Sequence, residues 1–415
     1  MAKQRKAMVK PKLRFPEFKT RSGWKSEALG DVSTPVTERV GERNLTPVSI
    51  SAGVGFIPQA EKFGRDISGN QYKVYTLVRD GDFVYNKGNS LKFPQGCVYQ
   101  LRGLGEVAAP NVFIAFRLGK DQVGEFFQFA FERNIHGVQL KNHITSGARS
   151  NGLLNVSREQ FFDVRIPSPL RDEQQKIADC LASLDEVIVT QGRKIEALKA
   201  HKNGLMQQLF PREDEARPRL RFPEFRNVGE WLVEPAAKFF LNRKEKGEPG
   251  LPIYSVTMND GMIPRASFDR DFYDIEDPSG NKKVHAGDIV YNTMRMWQGA
   301  QGVALEDCMV SPAYVVLTPR TGVFSKFFFY LFKLRQTLEL LTAYSRGLTE
   351  DRLRLYFEDF SRVPLRVPGP EEQKRIADCL SSLDAQIAAE LSRLAVLRIH
   401  KNGLLQQLFP AMKGR

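Results

Sequence analysis

Two domains of mixed α and β structure, an α+β class built on one plan and joined by two long helices, are what this 415-residue chain predicts. Three patterns predict them. A set of words recurs in the same order at offsets of 199 to 207 residues. Between those words lie short apolar runs broken by Gly, Pro and Asn, and after each set comes an apolar seam of heptad spacing. The chain is too long for one ordinary core, and its 42% hydrophobic content suffices for two.

The repeat sets the organisation. "PKLRFPEFK" (Pro11 to Lys19) returns as "PRLRFPEFR" (Pro218 to Arg226) at an offset of 207, and "GDFVYN" (Gly81 to Asn86) as "GDIVYN" (Gly287 to Asn292) at 206. "IADCL" (Ile177, Ile376) and "HKNGL[ML]QQLFP" (His201 to Pro211, His400 to Pro410) return at 199, so the second copy has lost residues inside a shared frame. The chain divides into a first mixed domain at 1–170, a central helix at 171–213, a second mixed domain at 214–369 and a C-terminal helix at 370–412. Between the shared words the two mixed domains differ strongly, which reads as one fold carrying two different surfaces.

Within the mixed domains, "FVYN", "NVFIAFRL" and "AYVVLTP" read as strands, and "GEFFQFAFER" and "KFFFYLFKLRQTLELL" as helical stretches whose phenylalanines belong to the core. "AGVGF" (Ala52 to Phe56) reads as a turn, since no strand–turn–helix context or distant acid supports a dinucleotide loop.

The helices carry the clearest periodicity. Steps of alternating fours and threes give Ile177, Leu181, Leu184, Ile188, Gln191, Ile195, Leu198, Lys202, Leu205 and Leu209 in the first. The second gives Ile376, Leu380, Leu383, Ile387, Glu390, Leu394, Leu397, Lys401, Leu404 and Leu408, with polar residues at the same two steps. One such helix cannot hide its seam, whereas two in one chain hide each other as a coiled coil. A pseudo-two-fold relation makes the pair antiparallel and sets the domains at opposite ends of a rod. Matching Ile177 with Leu408 and Leu209 with Ile376 brings Lys202 beside Asp384 and Lys401 beside Asp185, whereas a parallel pair would set Lys202 against Lys401. Pro370, followed by Glu371 and Glu372, suits a helix start with acids on the positive dipole end, and Pro211 and Pro410 stop the helices.

Charge and cysteine usage narrow the function. Lys and Arg total 61 against 48 acids, a net +13 suited to a polyanionic partner. Cys97, Cys180, Cys308 and Cys379 form no CxxC pair and read as small buried thiols of a reducing, cytoplasmic protein. No apolar run approaches a membrane span. The chain has no Pro-Pro dipeptide, which an amino-methyltransferase motif of the Asn/Asp-Pro-Pro-aromatic type requires. "PEEQK" (Pro370 to Lys374) lies at a helix start rather than in a nuclease metal site, and the five histidines show no ligand spacing. No catalytic residue and no metal ligand is expected.

With these words in place, the sequence resembles the specificity subunits of type I restriction-modification systems. The doubled "LRFPEF", the doubled "GD[FI]VYN", the "P-x-E-x-Q" approach (Pro169 to Gln174, Pro368 to Gln373) and the doubled "IADCL…HKNGL[ML]QQLFP" helix carry the resemblance across almost the whole chain. It implies two pseudo-symmetric target recognition domains joined by two long helices that form an antiparallel coiled coil. It implies a split double-stranded DNA site, one half-site per domain, with the spacer set by the coiled coil. It implies no catalysis and no cofactor in this chain. Two modification (methyltransferase) subunits would carry S-adenosylmethionine, and restriction subunits, which translocate and cut, would use ATP and Mg. Competing readings are a coiled-coil scaffold protein and a DNA methyltransferase.

Candidate DNA readers come directly after the two "GD[FI]VYN" words: Lys87, Asn89 and Lys92 in the first half, Arg295, Trp297 and Gln298 in the second. These types can bond base edges or phosphate. Arg149 and Asn151, and Arg346 with Thr349, stand in polar loops before the connectors as second choices. The basic arm Lys3, Arg5, Lys6, Lys10 and Lys12 reads as a disordered tail rather than a reader of sequence.

Overall fold

In the computed structural model the described residues are 8–88, 93–144, 153–268, 278–349 and 352–411. The chain forms two units, residues 1–192 with 393–415, and residues 193–392. Each unit holds one mixed domain, the opening half of one long helix and the closing half of the other. The long helices run Arg171–Leu209 and Pro370–Leu408, 39 residues each.

Among the described residues the first unit has three sheets. Met8–Val9, Trp24–Ala28 and Arg165–Ser168 form an antiparallel trio in that spatial order. A four-stranded sheet is ordered Ser33–Pro35, Ile114–Leu118, Phe83–Asn86, Cys97–Gln100. A second is ordered Gly55–Pro58, Thr46–Ser51, Glu106–Ala109, Thr76–Arg79, with one parallel pairing between Thr46–Ser51 and Glu106–Ala109.

The second unit repeats the plan. Leu232–Pro235 pairs with Pro364–Val367, and Phe240–Asn242, Tyr314–Pro319, Ile289–Asn292 and Gln301–Val303 form the first four-stranded sheet. Met262–Pro264, Ile253–Val256, Cys308–Val310 and Lys282–Val284 form the other, again with one parallel pairing. In each unit the "VYN" strand is interior to its sheet and fully buried, so a continuous apolar run there is what burial on both faces demands.

The phenylalanines are core. Gly124–Glu132 buries Phe126, Phe127, Phe129 and Phe131, and Ser325–Leu331 buries Phe327 and Phe328. The stretch expected as one helix at "KFFFYLFKLRQTLELL" is two, Ser325–Leu331 and Arg335–Ala343. Lys333 N–H and Leu334 N–H bond three residues back, to Tyr330 and Leu331, and the extended Leu334 then starts the second helix. "AGVGF" is a turn leading into Gly55–Pro58, as read from its glycines.

Cys97 and Cys308 are buried, and burial pushes their thiols up to about 11 and about 12. Cys180 and Cys379 are only half-buried, since their helix positions fall beside the seam and not on it. All four are free thiols.

Candidate nucleic-acid interface

The repeated words build a joint between helix ends and mixed domain. In the first unit, Arg14 donates through Nε and Nη2 to both carboxylate oxygens of Glu173, 2.7 Å each, and through Nη1 to the carbonyls of Arg21 and Ser22. Trp24 Nε1 adds a third bond to Glu173 at 3.0 Å. The second unit repeats it: Arg221 donates to Glu372 at 2.7 Å twice, and to the carbonyls of Val228 and Gly229. The neighbouring glutamines lock the connectors. Gln174 Nε2 donates to Pro169 O and its Oε1 accepts from Val123 N–H; Gln373 does the same with Pro368 O and Phe324 N–H. Glu372, expected only as a dipole partner at the helix start, is buried and ion-paired with Arg221.

The closing ends of the helices meet the same joints. Leu13 N–H donates to Gln407 O in the first unit, and Leu220 N–H to Gln208 O in the second. Phe409 packs edge-on to Trp24 and against Phe126; Phe210 packs on Trp231 and Phe327. The "LRFPEF", "P-x-E-x-Q" and "QQLFP" words are thus consumed by structure.

Within each unit the helix halves pair antiparallel. In the second, Lys202 Nζ donates to Asp384 Oδ1 at 2.6 Å, and eight residues earlier Lys194 pairs with Glu390. In the first, Lys401 Nζ reaches Asp185 at 2.8 Å. The expected Lys202–Asp384 and Lys401–Asp185 pairs are therefore present. Every expected apolar seam position is buried or half-buried. Ile177, Leu181, Ile195, Leu209, Ile376, Leu380, Ile387, Leu394 and Leu408 are buried, and Leu184, Ile188, Leu198, Leu205, Leu383, Leu397 and Leu404 half-buried.

The candidate readers sit where the "VYN" strands end. The preceding Gly81 and Gly287 take φ of +93° and +92°, and the adjoining Asp82 and Asp288 are buried against Arg117 and Arg243, fixing the strand starts. At the far ends the asparagines turn the chain. Asn86 Oδ1 accepts from Gly88 N–H at 2.6 Å, and Asn292 Oδ1 from Met294 N–H at 3.0 Å, each an Asx turn.

The residue just past each asparagine is tied to the loop before the connector. Lys87 O accepts from Leu154 N–H at 2.8 Å, and Thr293 O accepts from Leu355 N–H at 2.9 Å. The first-choice and second-choice candidates of the second unit therefore share one edge. Arg295 and Gln298 are exposed and approach each other at 3.4 Å, while Trp297 is half-buried with Nε1 donating to Met294 O. Arg346 is exposed but bound to Asp359 at 2.6 and 2.8 Å, and Thr349 is exposed. In the first unit Lys87 is half-buried, its ammonium 3.4 Å from Val156 O.

Asn89, Lys92, Arg149 and Asn151 lie outside the described residues, as do Lys3, Arg5 and Lys6. Lys10 and Lys12 come after the Met8–Val9 strand and are exposed. Sequence reasoning missed Arg354, Asp359 and Arg362. Asp359, buried, holds Arg362 at 2.6 Å as well as Arg346, and the two arginines keep its carboxyl below the usual range. The arginine density of "RGLTEDRLR" (Arg346 to Arg354) was an available signal for Arg354 alone.

Among the described residues no helix is long and apolar enough to cross a membrane, and no three His, Cys, Asp or Glu gather so as to hold a metal ion.

Known proteins resemble this arrangement. Residues 234–398 match the family described as type I restriction modification DNA specificity domain. The MjaVIII type I restriction enzyme specificity subunit of Methanocaldococcus jannaschii is 26% identical over 288 residues, 64% of this chain and 66% of that protein. The putative MjaX specificity subunit of the same organism is 25% identical over 146 residues, 35% of this chain. The chain thus spans just under two thirds of the first relative's length and 33% of the second's. Among solved structures, the type I S subunit from M. genitalium has a TM-score of 0.59 at 15% identity, covering 98% of this chain and all of that one. A chain from a type I restriction-modification assembly has a TM-score of 0.54 at 18% identity, covering 97% and 100%. At these identities the structural likeness speaks for the fold.

Proposed function

We infer that this chain belongs to the specificity subunits of type I restriction-modification systems, and propose that it reads a bipartite duplex DNA site, one half-site per mixed domain. The observation that supports this reading most is the pairing of sameness and difference. Both units use the same joint, the same buried strand and the same asparagine turn, and then carry different side chains past it: the half-buried Lys87 in one, Arg295, Trp297, Gln298 and Arg346 in the other. Two readers on one frame suit two half-sites of different sequence, and the net charge of +13 suits phosphate contacts.

On this reading the chain does no chemistry. Companion subunits, two for modification and others for restriction, would supply methyl transfer from S-adenosylmethionine and ATP- and Mg-dependent cleavage, and the paired helices would set the unspecified spacer. The test is an exchange. Replacing residues 227–365 with the matching region of a relative, in complex with the companions, should change the methylated sequence in one half-site and leave the other. A change in both halves, or labelled methyl transfer by the purified chain alone, would overturn the proposal.

A further inference from the structure

Leu348 is 98% exposed, more than any other large apolar side chain among the described residues. One exposed leucine means little alone; the mounting distinguishes this one. Arg346 and Arg354 form a closed antiparallel rung, each N–H donating to the other's carbonyl at 2.8 Å. Arg352 N–H donates to Thr349 O at 2.9 Å. Gly347 lies at φ +152° against Arg352, where an added Cβ would stand 2.6 Å from the carbonyl oxygen, so glycine alone permits the approach. Leu355, one residue beyond the rung, is fully buried and bonded to Thr293 O. The leucine is held out on a braced support.

The support is also charged. The buried Asp359 carboxylate fixes the guanidiniums of Arg346 and Arg362, both about two-thirds exposed at 64% and 66%, so their outward N–H donors are held in place, with Glu358 the further acid acting on Arg346. The stretch from Arg346 to Arg354 carries three arginines against two acids. An exposed apolar tip two residues from a fixed guanidinium matches one partner chemistry well: stacked bases flanked by phosphates. Leucine is among the side chains that pry base steps apart, and arginines seat on the backbone beside them.

We propose that Leu348 is a wedge that enters the base stack of duplex DNA while Arg346 and Arg362 bear on the adjoining phosphates. This rests on the reading of the second mixed domain as a DNA reader and adds how it reads. Part of the second half-site is sensed through the ease of opening one step, which favours pyrimidine–purine steps.

The test uses the full chain and a duplex that it selects from a random pool, with 2-aminopurine placed at each purine of the selected site in turn. Fluorescence should rise at one step with the wild type. Leu348→Ala should abolish the rise and weaken binding by about ten- to a hundredfold, the scale of one lost site contact, and Leu348→Phe should preserve both. Arg362→Ala should weaken all duplexes alike and reduce the salt slope by about one. A Leu348→Ala chain that binds and brightens like the wild type overturns the wedge, as does retained DNA binding with loss of a protein partner. If the wild type selects no sequence at all, the DNA reading itself fails and the wedge falls with it.

Discussion

Lys401 Nζ stands 2.8 Å from Glu132 Oε1, and the position that matches Glu132 in the second unit, at the offset that pairs Phe129 with Tyr330, is Lys333. Both helix lysines lie over the matching ring, Lys401 over Phe129 at 5.2 Å and Lys202 over Tyr330 at 5.0 Å. Their surroundings differ. Burial pulls Lys401 down, but Asp185 and Glu132 outweigh it and leave it raised. Lys333 is lowered, by burial and then by Lys202, while Tyr330 Oη donates to Asp384 at 2.7 Å and shares that acid with Lys202.

The two lysines should therefore contribute unequally. Lys401→Ala strands Glu132 and Asp185 together and should destabilise by about 1–2 kcal/mol, discounted because both acids are over a third exposed. Lys202→Ala leaves Asp384 bonded to Tyr330 and relieves Lys333, so its cost should stay under about 1 kcal/mol. Thermal melts of the two variants decide it, and equal shifts would contradict the asymmetry.

The largely buried Arg14–Glu173 pair, its arginine 11% and its glutamate 2% exposed, invites a double-mutant cycle. Glu173→Gln or Arg14→Met alone leaves one buried partner uncompensated and should cost about 3 kcal/mol. The double variant should recover part of that loss, because neither charge is then stranded. Denaturant midpoints for the three proteins measure the coupling, and strictly additive losses would rule it out.

His136, 1% exposed between Tyr85 and Phe131, is pushed down to about 4 by burial. Its folded value lies below the ordinary 6.5, so the stability it contributes is present above 6.5 and is lost as pH falls through the folded value. The loss between pH 6.5 and 4 should be on the order of 3 kcal/mol. Comparing the acid sensitivity of melting in the wild type and His136→Phe isolates this term from the carboxylates. Identical pH curves would show that burial does not hold the folded imidazole below its ordinary value.

On the proposed reading, the exposed Arg295 and Gln298 are base-reading groups of the second unit. Arg295→Ala should cost about 1–3 kcal/mol on the preferred duplex and relax the preference at one position of one half-site, as loss of a base-edge contact does. Binding to sequence-scrambled duplexes is the control, and a uniform loss across all of them would reassign Arg295 to phosphate.

The helices were the most legible part of the fold. Their seam returns every seven residues, so the Lys202–Asp384 and Lys401–Asp185 pairs followed from register alone. The strands "FVYN" and "AYVVLTP" were legible for the same reason: burial leaves few residue types possible. The joint was not. Arg14 and Glu173 are 159 residues apart, and no local period links them; only their doubling as Arg221 and Glu372 hinted at a bond. The edge that carries the candidates could be placed after the strand, but not described in detail. Lys87 could be placed after its turn, but whether its ammonium faced outward or lay against Val156 O depended on a chain segment 69 residues away.

The amide of Asn86, and that of Asn292, closes its turn onto main chain only two residues ahead. The bend is complete before the chemistry of the downstream residues has any say in it. Later segments can then be lengthened, shortened or replaced while the strand behind them keeps its place, much as a hinge pin holds a door frame true whichever door is hung. On the proposed reading, new DNA-sequence preferences can then arise by drift in these loops, without passing through an unfolded ancestor.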